Sequence, residues 1–248
     1  MRRAASAPAV LVAGGLEPSG RVGLLADVAA VAAAGGRPVG LATVLTAQGS
    51  RFRCLAVPRW LLLAQLDALL LESPPRSAKL GAVPDAPTLA VLWARLLPLH
   101  IPLVVDPVVR TSRGERLSAL RREDFFALAK PSVWLTPNVP ELAWLLGQRR
   151  VPTTVAVVRR LATTLLEEGF GAVVVKGGHL AGPPVDVLAL PGRVRSWVGR
   201  RLPRGPQKRG TGCRFASTLA TELALGQPEA TAVARARRAV RQYLQAPA

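Results

Sequence analysis

Two acidic residues stand where a phosphate- and metal-dependent reaction could use them. Asp106 ends the apolar run Leu103–Asp106, and Glu141 closes the segment Thr136–Glu141 that follows another apolar run. The chain has only 15 acidic residues, so carboxylates placed directly after two strand-like runs are informative. Magnesium is bound by one or two such carboxylates together with phosphate oxygens. The alternative is that both residues cap turns or helices near the surface, and the sequence leaves both interpretations open.

A second candidate element is Gly210-Thr211-Gly212-Cys213, which opens an Ala-rich helical segment. Small residues let backbone N–H groups approach a ligand, and the positive end of the helix favours an anion such as phosphate. The segment Arg193–Arg214, which contains eight basic residues and no acid, leads into this motif and fits a polyphosphate ligand. The alternative is a flexible glycine turn followed by a core cysteine.

Composition limits what else the chain can be. Of its 248 residues, 50% are apolar and 19% are charged, which argues against disorder. The longest uncharged stretches have 13 residues, too few for a membrane-spanning helix, which needs roughly 20. Two cysteines and two histidines exclude a disulfide framework and a histidine-based metal site. We expect one cytoplasmic domain over residues 1–248, with no membrane partner.

The net charge of +18 is spread along the chain and comes from 29 arginines and four lysines. This distribution predicts a solvated arginine-rich surface rather than a specific nucleic-acid site. The run Arg235, Arg237, Arg238 and Arg241 on the last predicted helix is interpreted in the same way, as a solvated face.

Short apolar runs alternate with segments of helical periodicity, which predicts a doubly wound, mostly parallel α/β sheet with helices on both faces. The predicted strands are Ala9–Gly14, Pro38–Leu45, Ser77–Leu80, Leu103–Asp106, Val133–Thr136, Ala172–Lys176, Val185–Leu190 and Val194–Val198. The predicted helices are Ser19–Ala34, Trp60–Leu71, Thr88–Leu97, Arg122–Ala129, Pro140–Gly147, Thr154–Glu168, Gly212–Leu225 and Pro228–Leu244. In such sheets ligands bind outside the carboxyl ends of the strands, where the candidate residues fall.

As an ordered set, these motifs resemble the ribokinase-like superfamily and, more closely, the hydroxymethylpyrimidine and phosphomethylpyrimidine kinases of thiamine biosynthesis. The resemblance runs from about Ala9 to Tyr243. It is carried by Gly15–Gly23 with Asp27, Leu45–Gln48, Asp106–Val108, Thr136–Glu141, Val175–His179 and Gly210–Cys213.

The resemblance implies a role for each matching residue in an ATP- and magnesium-dependent phosphoryl transfer. It assigns Asp106 and Glu141 to the metal, and Lys176, Asn138 and Thr211 to the nucleotide. It makes Gly210, Gly212 and Cys213 an anion hole, with Lys176 as a further catalytic residue and Cys213 as candidate base. The residues it assigns to binding of the pyrimidine substrate are Gln48, Gly15, Val22, Asp27 and Val108. It also implies a homodimer. Because Cys213 begins a helix near Lys208, Arg209 and Arg214, we expect the pKa of its thiol to be lowered.

Residues expected to surround the substrate differ from the family pattern. Ser19-Gly20-Arg21-Val22-Gly23 replaces the usual Ser-Gly-Gly-Ala-Gly, and Gln207-Lys208-Arg209 replaces a polar Asn-Thr-His run. Two alternatives therefore stay open: a kinase for pyridoxal-type vitamers, and a non-catalytic sensor that binds the pyrimidine. The retained metal and anion-hole residues favour catalysis, since a sensor has no need of them.

Overall fold

The computed structural model describes residues 6–202 and 208–247, which form a nine-stranded sheet with helices on both faces. The strands are β1 (Ala9–Leu16), β2 (Arg37–Gln48), β3 (Phe52–Ala56), β4 (Ser77–Leu80), β5 (Leu103–Val105), β6 (Val133–Leu135), β7 (Ala172–Val175), β8 (Val185–Leu190) and β9 (Arg193–Val198). The helices are α1 (Gly23–Ala33), α2 (Arg59–Glu72), α3 (Ala86–Leu96), α4 (Arg122–Phe126), α5 (Val139–Leu145), α6 (Val155–Glu167), α7 (Thr211–Ala224) and α8 (Glu229–Gln245), with short 3-10 helices at Leu97–Leu99 and Gly177–His179.

The strand order is β3-β2-β1-β4-β5-β6-β7-β8-β9. The six strands from β2 to β7 in this order are parallel, whereas β3, β8 and β9 pair antiparallel at the two ends. The chain leaves β1 toward β2 on one side and later returns to β4 on the other. This reversal opens a crevice at the carboxyl ends of β1 and β4, where sheets of this type bind ligands.

Two apolar cores cover the faces of the sheet. One holds side chains of α2, α3, α4, α5 and α6, and the other holds those of α1, α7 and α8. The predicted doubly wound fold is therefore confirmed. None of the described helices is long and apolar enough to cross a membrane.

Two local features differ from the sequence prediction. The edge strand β3 was not predicted, because its alternation is broken by Arg53 and Cys54 and four of its five residues are exposed. Helix α1 begins at Gly23 rather than Ser19, because Ser19 donates hydrogen bonds to the Glu17 carboxylate in a turn. Gly23 has φ +65°, and a Cβ there would lie 2.1 Å from the carbonyl oxygen of Gly15. No other residue fits this approach of α1 to β1.

A fully buried ion pair joins three of these elements beneath the crevice. Lys79 of β4 donates to Asp27 of α1 at 2.8 Å, and their side chains are 2% and 0% exposed. Ser217 of α7 donates to the other Asp27 oxygen at 2.8 Å. Burial raises the pKa of Asp27, against the lowering effect of Lys79. The pair therefore ties α1 and α7 to the central sheet at a cost in desolvation.

We predict that breaking this pair destabilises the fold strongly. Asp27→Asn or Lys79→Met alone leaves one buried charge without a partner and should lower the free energy of unfolding by about 3–5 kcal/mol. The double variant should recover most of this loss, because neither charge remains. Urea unfolding of the three variants measures the effect.

The exposed pair of Asp67 and Arg95 supplies a matched control, since Asp67→Asn should cost at most about 1 kcal/mol. If the two single losses at Asp27 and Lys79 simply add in the double variant, the coupling between the two charges is disproved.

Candidate active site

All thirteen residues assigned from the sequence line one cavity of about 1510 Å³ at the carboxyl ends of the parallel strands. They are Gly15, Val22, Asp27, Gln48, Asp106, Val108, Asn138, Glu141, Lys176, Gly210, Thr211, Gly212 and Cys213. Pockets for one drug-sized ligand usually measure about 300–1,000 Å³. The volume suits two ligands side by side, such as a nucleotide and a small acceptor.

An ion pair lies at the centre of this cavity. Asp106 directly follows β5, and Lys176 directly follows β7, so the parallel strands bring both to the same edge. Lys176 Nζ donates to Asp106 Oδ1 at 2.6 Å, and the side chains are 15% and 2% exposed. Burial lowers the pKa of Lys176, but the carboxylates of Asp106 and Glu141 outweigh burial and raise it overall. The ammonium group therefore stays charged.

Glu141 caps helix α5 and also faces the ion pair. Its backbone N–H donates to Asn138 Oδ1 at 2.8 Å, and its carboxylate Oε2 accepts from the Asn138 N–H at 2.7 Å. Burial and the negative charge of Asp106 raise the pKa of Glu141 to about 7, against the lowering effects of Lys176 and the Asn138 N–H. The structure confirms the helix cap, which uses one carboxylate oxygen of Glu141. The other oxygen is left for a ligand, and the metal-binding role stays a prediction.

The start of α7 approaches the same ion pair. Gly210 is its N-cap residue, with φ +82°, and a Cβ on Gly212 would lie 3.2 Å from Lys176 Nζ and 3.7 Å from Asp106 Oδ2. The N–H groups of Thr211, Gly212 and Cys213 have no acceptor among the described residues. The N–H groups of Gly212 and Cys213, which have no acceptor within the described part of the chain and lie at a helix start close to a lysine, form a site suited to a phosphate.

The predicted lowering of the Cys213 pKa is wrong. Burial raises the pKa of this thiol, and the carboxylates of Asp27 and Asp106 add to the rise, against the lowering effects of Lys79 and the Gly23 N–H. The three basic residues expected to favour the thiolate have other partners. Lys208 binds carbonyl groups at the end of α8, Arg209 binds Gln48 and Ser112, and Arg214 binds the carbonyl of Arg21.

At the substrate end, Gln48 is already engaged on both sides of its amide. Its Nε2 donates to Thr46 Oγ1 at 3.2 Å, and its Oε1 accepts from the guanidinium of Arg209. Arg209 Nε also donates to Ser112 Oγ at 3.2 Å. The guanidinium of Arg209 therefore lies across this end of the cavity, which the sequence did not indicate. Gln207, the first residue of the segment Gln207-Lys208-Arg209 that differs from the family pattern, lies outside the described residues.

The placement of Asp27 differs from the substrate-binding role assigned to it. Asp27 is fully buried, and its two carboxylate oxygens accept from Lys79 and Ser217. It lies at the floor of the cavity, and both of its oxygens are already used. Lys79 was missed from the sequence because it stands inside an apolar strand without a charged neighbour.

The interpretation of the α8 arginines as a solvated face is partly wrong. Arg237, Arg238 and Arg241 line the outer part of the cavity, together with Arg200 and Arg201. Arg237 donates to Asp186 at 2.6 Å, whereas Arg238 and Arg241 are exposed. Their spacing of three and four residues, which places them on one helix face, was the available signal.

The acidic residues present fit a magnesium ion that is completed by phosphate oxygens. No group of three or more His, Cys, Asp and Glu residues able to hold a metal occurs within residues 6–202 and 208–247. Asp106 and Glu141 instead share the single ammonium of Lys176, and the raised pKa of Glu141 shows that its ionised form is under-compensated. A hard cation held by one or two carboxylates suits this donor set.

Comparison with known proteins identifies relatives over nearly the whole chain. The family model described as phosphomethylpyrimidine kinase matches residues 17–248. The chain is 33% identical over 244 residues to a hydroxymethylpyrimidine/phosphomethylpyrimidine kinase of Streptomyces coelicolor, covering 96% of this chain and 87% of that protein. It is 34% identical over 233 residues, 91% of this chain, to a thiamine biosynthesis multifunctional protein of Corynebacterium efficiens, but spans only 31% of that protein's length.

Solved structures agree in fold. A phosphomethylpyrimidine kinase from Clostridium difficile superposes with a TM-score of 0.81 at 26% identity, covering 96% of this chain and all of that chain. The pyridoxal kinase of Staphylococcus aureus in complex with ADP superposes with a TM-score of 0.87 at 21% identity, covering 96% of this chain and 88% of that chain. At that identity the second likeness shows the fold alone. The family match and the curated relatives show that this chain belongs to the phosphomethylpyrimidine kinase family, which is a family of phosphotransferases.

Proposed function

We propose that the protein transfers a phosphoryl group from ATP to the hydroxymethyl group of hydroxymethylpyrimidine, and then to the resulting monophosphate. The observation that carries the proposal is the meeting of the Lys176–Asp106 pair with the N-terminus of α7 at Gly212. Phosphoryl transfer needs groups that position the reactants and neutralise charge more than it needs covalent catalysis. A lysine and free helix N–H groups in one cavity supply both.

Three groups would act on the phosphates. The ammonium of Lys176, held in its charged form by Asp106 and Glu141, would neutralise phosphate oxygens near the nucleotide. The N–H groups of Gly212 and Cys213 would bind the oxygens of the group in transfer, where their fixed direction costs no reorganisation. Thr211 and Asn138 would complete the nucleotide side.

Asp106 and Glu141 would hold the magnesium ion through their carboxylates. When bound, the ion would neutralise charge on the phosphate oxygens.

The acceptor would lie between Gly15, Val22, Gln48 and Val108, with its hydroxymethyl group toward Cys213. The bulk of Val22 and the guanidinium of Arg209 alter this end relative to the family pattern. A pyridoxal-type vitamer, which also presents a hydroxymethyl group on a nitrogen heterocycle, is therefore the competing acceptor. The cytoplasmic location and the homodimer stay predictions.

We predict that the protein releases ADP from ATP in the presence of hydroxymethylpyrimidine and of its monophosphate, with magnesium required. A coupled ADP-release assay on the full chain measures both reactions beside pyridoxal, pyridoxine and a blank without acceptor. Turnover only with the pyridoxal-type vitamers would replace the acceptor class. Binding of the pyrimidine without any turnover would support the sensor and disprove the kinase.

A second prediction concerns the space at the start of α7. Gly212→Ala adds a methyl group 3.2 Å from Lys176 Nζ, in the space proposed for the phosphate. Because Gly212 does not have a left-handed φ, the backbone can accept alanine without strain. We expect turnover to fall about 100-fold or more, because the methyl group would keep the phosphoryl oxygens away from the N–H donors and so remove their effect. The control is Gly49→Ala, where a Cβ meets nothing within 4 Å, and turnover should stay within about twofold. Equal activity of all three proteins would exclude the anion hole.

A third prediction concerns Cys213 as the base that accepts the hydroxyl proton. Because the pKa of its thiol is raised, the thiolate forms only at alkaline pH. If the thiolate is the base, turnover should rise through an alkaline limb that is absent from Cys213→Ala and shifted to lower pH in Cys213→Asp. Loss of a general base costs about 10²–10⁴-fold. An alanine variant with the parent's activity and pH profile would leave Cys213 only its backbone N–H.

A further inference from the structure

The segment that carries the anion hole is held from outside by the last helix. Tyr243, near the end of α8, donates its hydroxyl proton to the backbone carbonyl of Arg209 at 3.0 Å. Arg209 immediately precedes Gly210, the N-cap of α7. The phenol thus binds the backbone one residue before the phosphate-binding N–H groups begin.

The carbonyl that Tyr243 binds is the one that could close the anion hole. A helical hydrogen bond joins each N–H to the carbonyl four residues earlier, so a further turn of α7 would pair the Cys213 N–H with Arg209. In the structure that bond is absent, and the first bond of this kind runs from the Arg214 N–H to the Gly210 carbonyl. Gly210, with its left-handed φ of +82°, ends the helix before Arg209, and Tyr243 gives the Arg209 carbonyl a hydrogen-bond partner at this break.

The ring of Tyr243 holds a second part of the site. The guanidinium carbon of Arg214 lies 3.8 Å from the ring centroid, which is close for a cation–π contact. Arg214 Nη1 donates to the carbonyl of Arg21 at 2.9 Å, in the loop that carries Val22. Gly210 packs on the same carbonyl, because a Cβ there would lie 2.0 Å from it. Tyr243 therefore supports both the anion-hole segment and the substrate loop.

Lys208 also contacts Tyr243 and the end of α8. Its ammonium donates to the carbonyls of Tyr243 at 2.9 Å and Pro247 at 3.0 Å, at the end of α8. The same ammonium lies 5.0 Å from the Tyr243 ring centroid. A cation that binds the last carbonyls of a helix stabilises its end. The end of α8 and the segment just before α7 are thus linked by hydrogen bonds in both directions.

We propose that Tyr243 is a positioning residue that fixes the backbone just before α7 and so keeps the N–H groups of the anion hole correctly directed. The inference rests on the proposed function, since it assigns a role in the same phosphoryl transfer. A residue of this kind affects the rate of transfer more than the binding of the acceptor, because the anion hole acts on the group in transfer.

Two substitutions separate the hydroxyl from the ring. Tyr243→Phe removes only the bond to the Arg209 carbonyl, and we expect kcat to fall about threefold to tenfold with KM for the pyrimidine unchanged, as for one ordinary hydrogen bond. Tyr243→Leu also removes the cation–π contact and should lower kcat further. Gln242→Ala, at an exposed neighbour on the same helix, should retain the parent's kcat.

The melting temperature distinguishes positioning from simple support of the fold. A positioning role predicts a lower kcat in Tyr243→Phe at a melting temperature close to that of the parent. A lower melting temperature with unchanged kcat, or no change in either quantity, would overturn the inference.

A spectroscopic measurement tests the inference without turnover. Tyr243 is the only tyrosine in the chain, so 3-fluorotyrosine gives one fluorine reporter at this position. Its ¹⁹F resonance should move on addition of AMP-PCP with magnesium or of inorganic phosphate, and should stay in place in the Gly212→Ala protein. A resonance that does not respond to bound AMP-PCP in the parent overturns the role of Tyr243. A parent that lacks activity toward every acceptor overturns the proposed function instead, and the fluorine response still decides the coupling.

Discussion

The buried pair of Lys79 and Asp27 is the interaction on which the rest of the site depends. Neither charge reaches water, so each needs the other, and the pair fixes α1 and α7 to β4. The starts of these two helices carry the proposed substrate loop and the proposed anion hole. Gly23 and Gly210 then let both starts approach neighbouring backbone carbonyls at distances that a Cβ would forbid. The geometry of the candidate site at the edge of the sheet therefore depends on a buried ion pair that is costly to desolvate.

The charges that line the cavity are unevenly distributed. Positive charge is scarce near the carboxylates and abundant elsewhere in the cavity. Asp106 and Glu141 share one ammonium, whereas Arg200, Arg238 and Arg241 line the outer cavity. A polyphosphate with a divalent cation would balance both sets of charges at once, because its oxygens would neutralise the basic groups and its cation would neutralise the carboxylates. The charge pattern is therefore consistent with the proposed nucleotide and metal.

The sequence predicted what short-range patterns determine. Alternating apolar runs predicted the sheet, and the polar residues at strand ends predicted the cavity. The edge strand β3 was missed because it is exposed and interrupted by Arg53. The pKa of Cys213 was predicted in the wrong direction because its basic sequence neighbours bind other groups. Burial raises this pKa instead, and the carboxylates of Asp27 and Asp106, which are remote in sequence, add to the rise. Properties set by three-dimensional neighbours were thus the ones that composition and spacing could not supply.

The two ends of the cavity are built from different kinds of group. The chemistry of transfer and the choice of acceptor therefore depend on different parts of the chain. The proposed phosphate end consists of main-chain groups and of an ion pair at strand ends, which the fold itself positions. The proposed acceptor end consists of side chains, where the guanidinium of Arg209 binds the amide of Gln48. Substitutions of such side chains would change which heterocycle fits while leaving the Lys176–Asp106 pair in place. Family membership therefore constrains the chemistry of transfer more tightly than the identity of the molecule that receives the phosphoryl group.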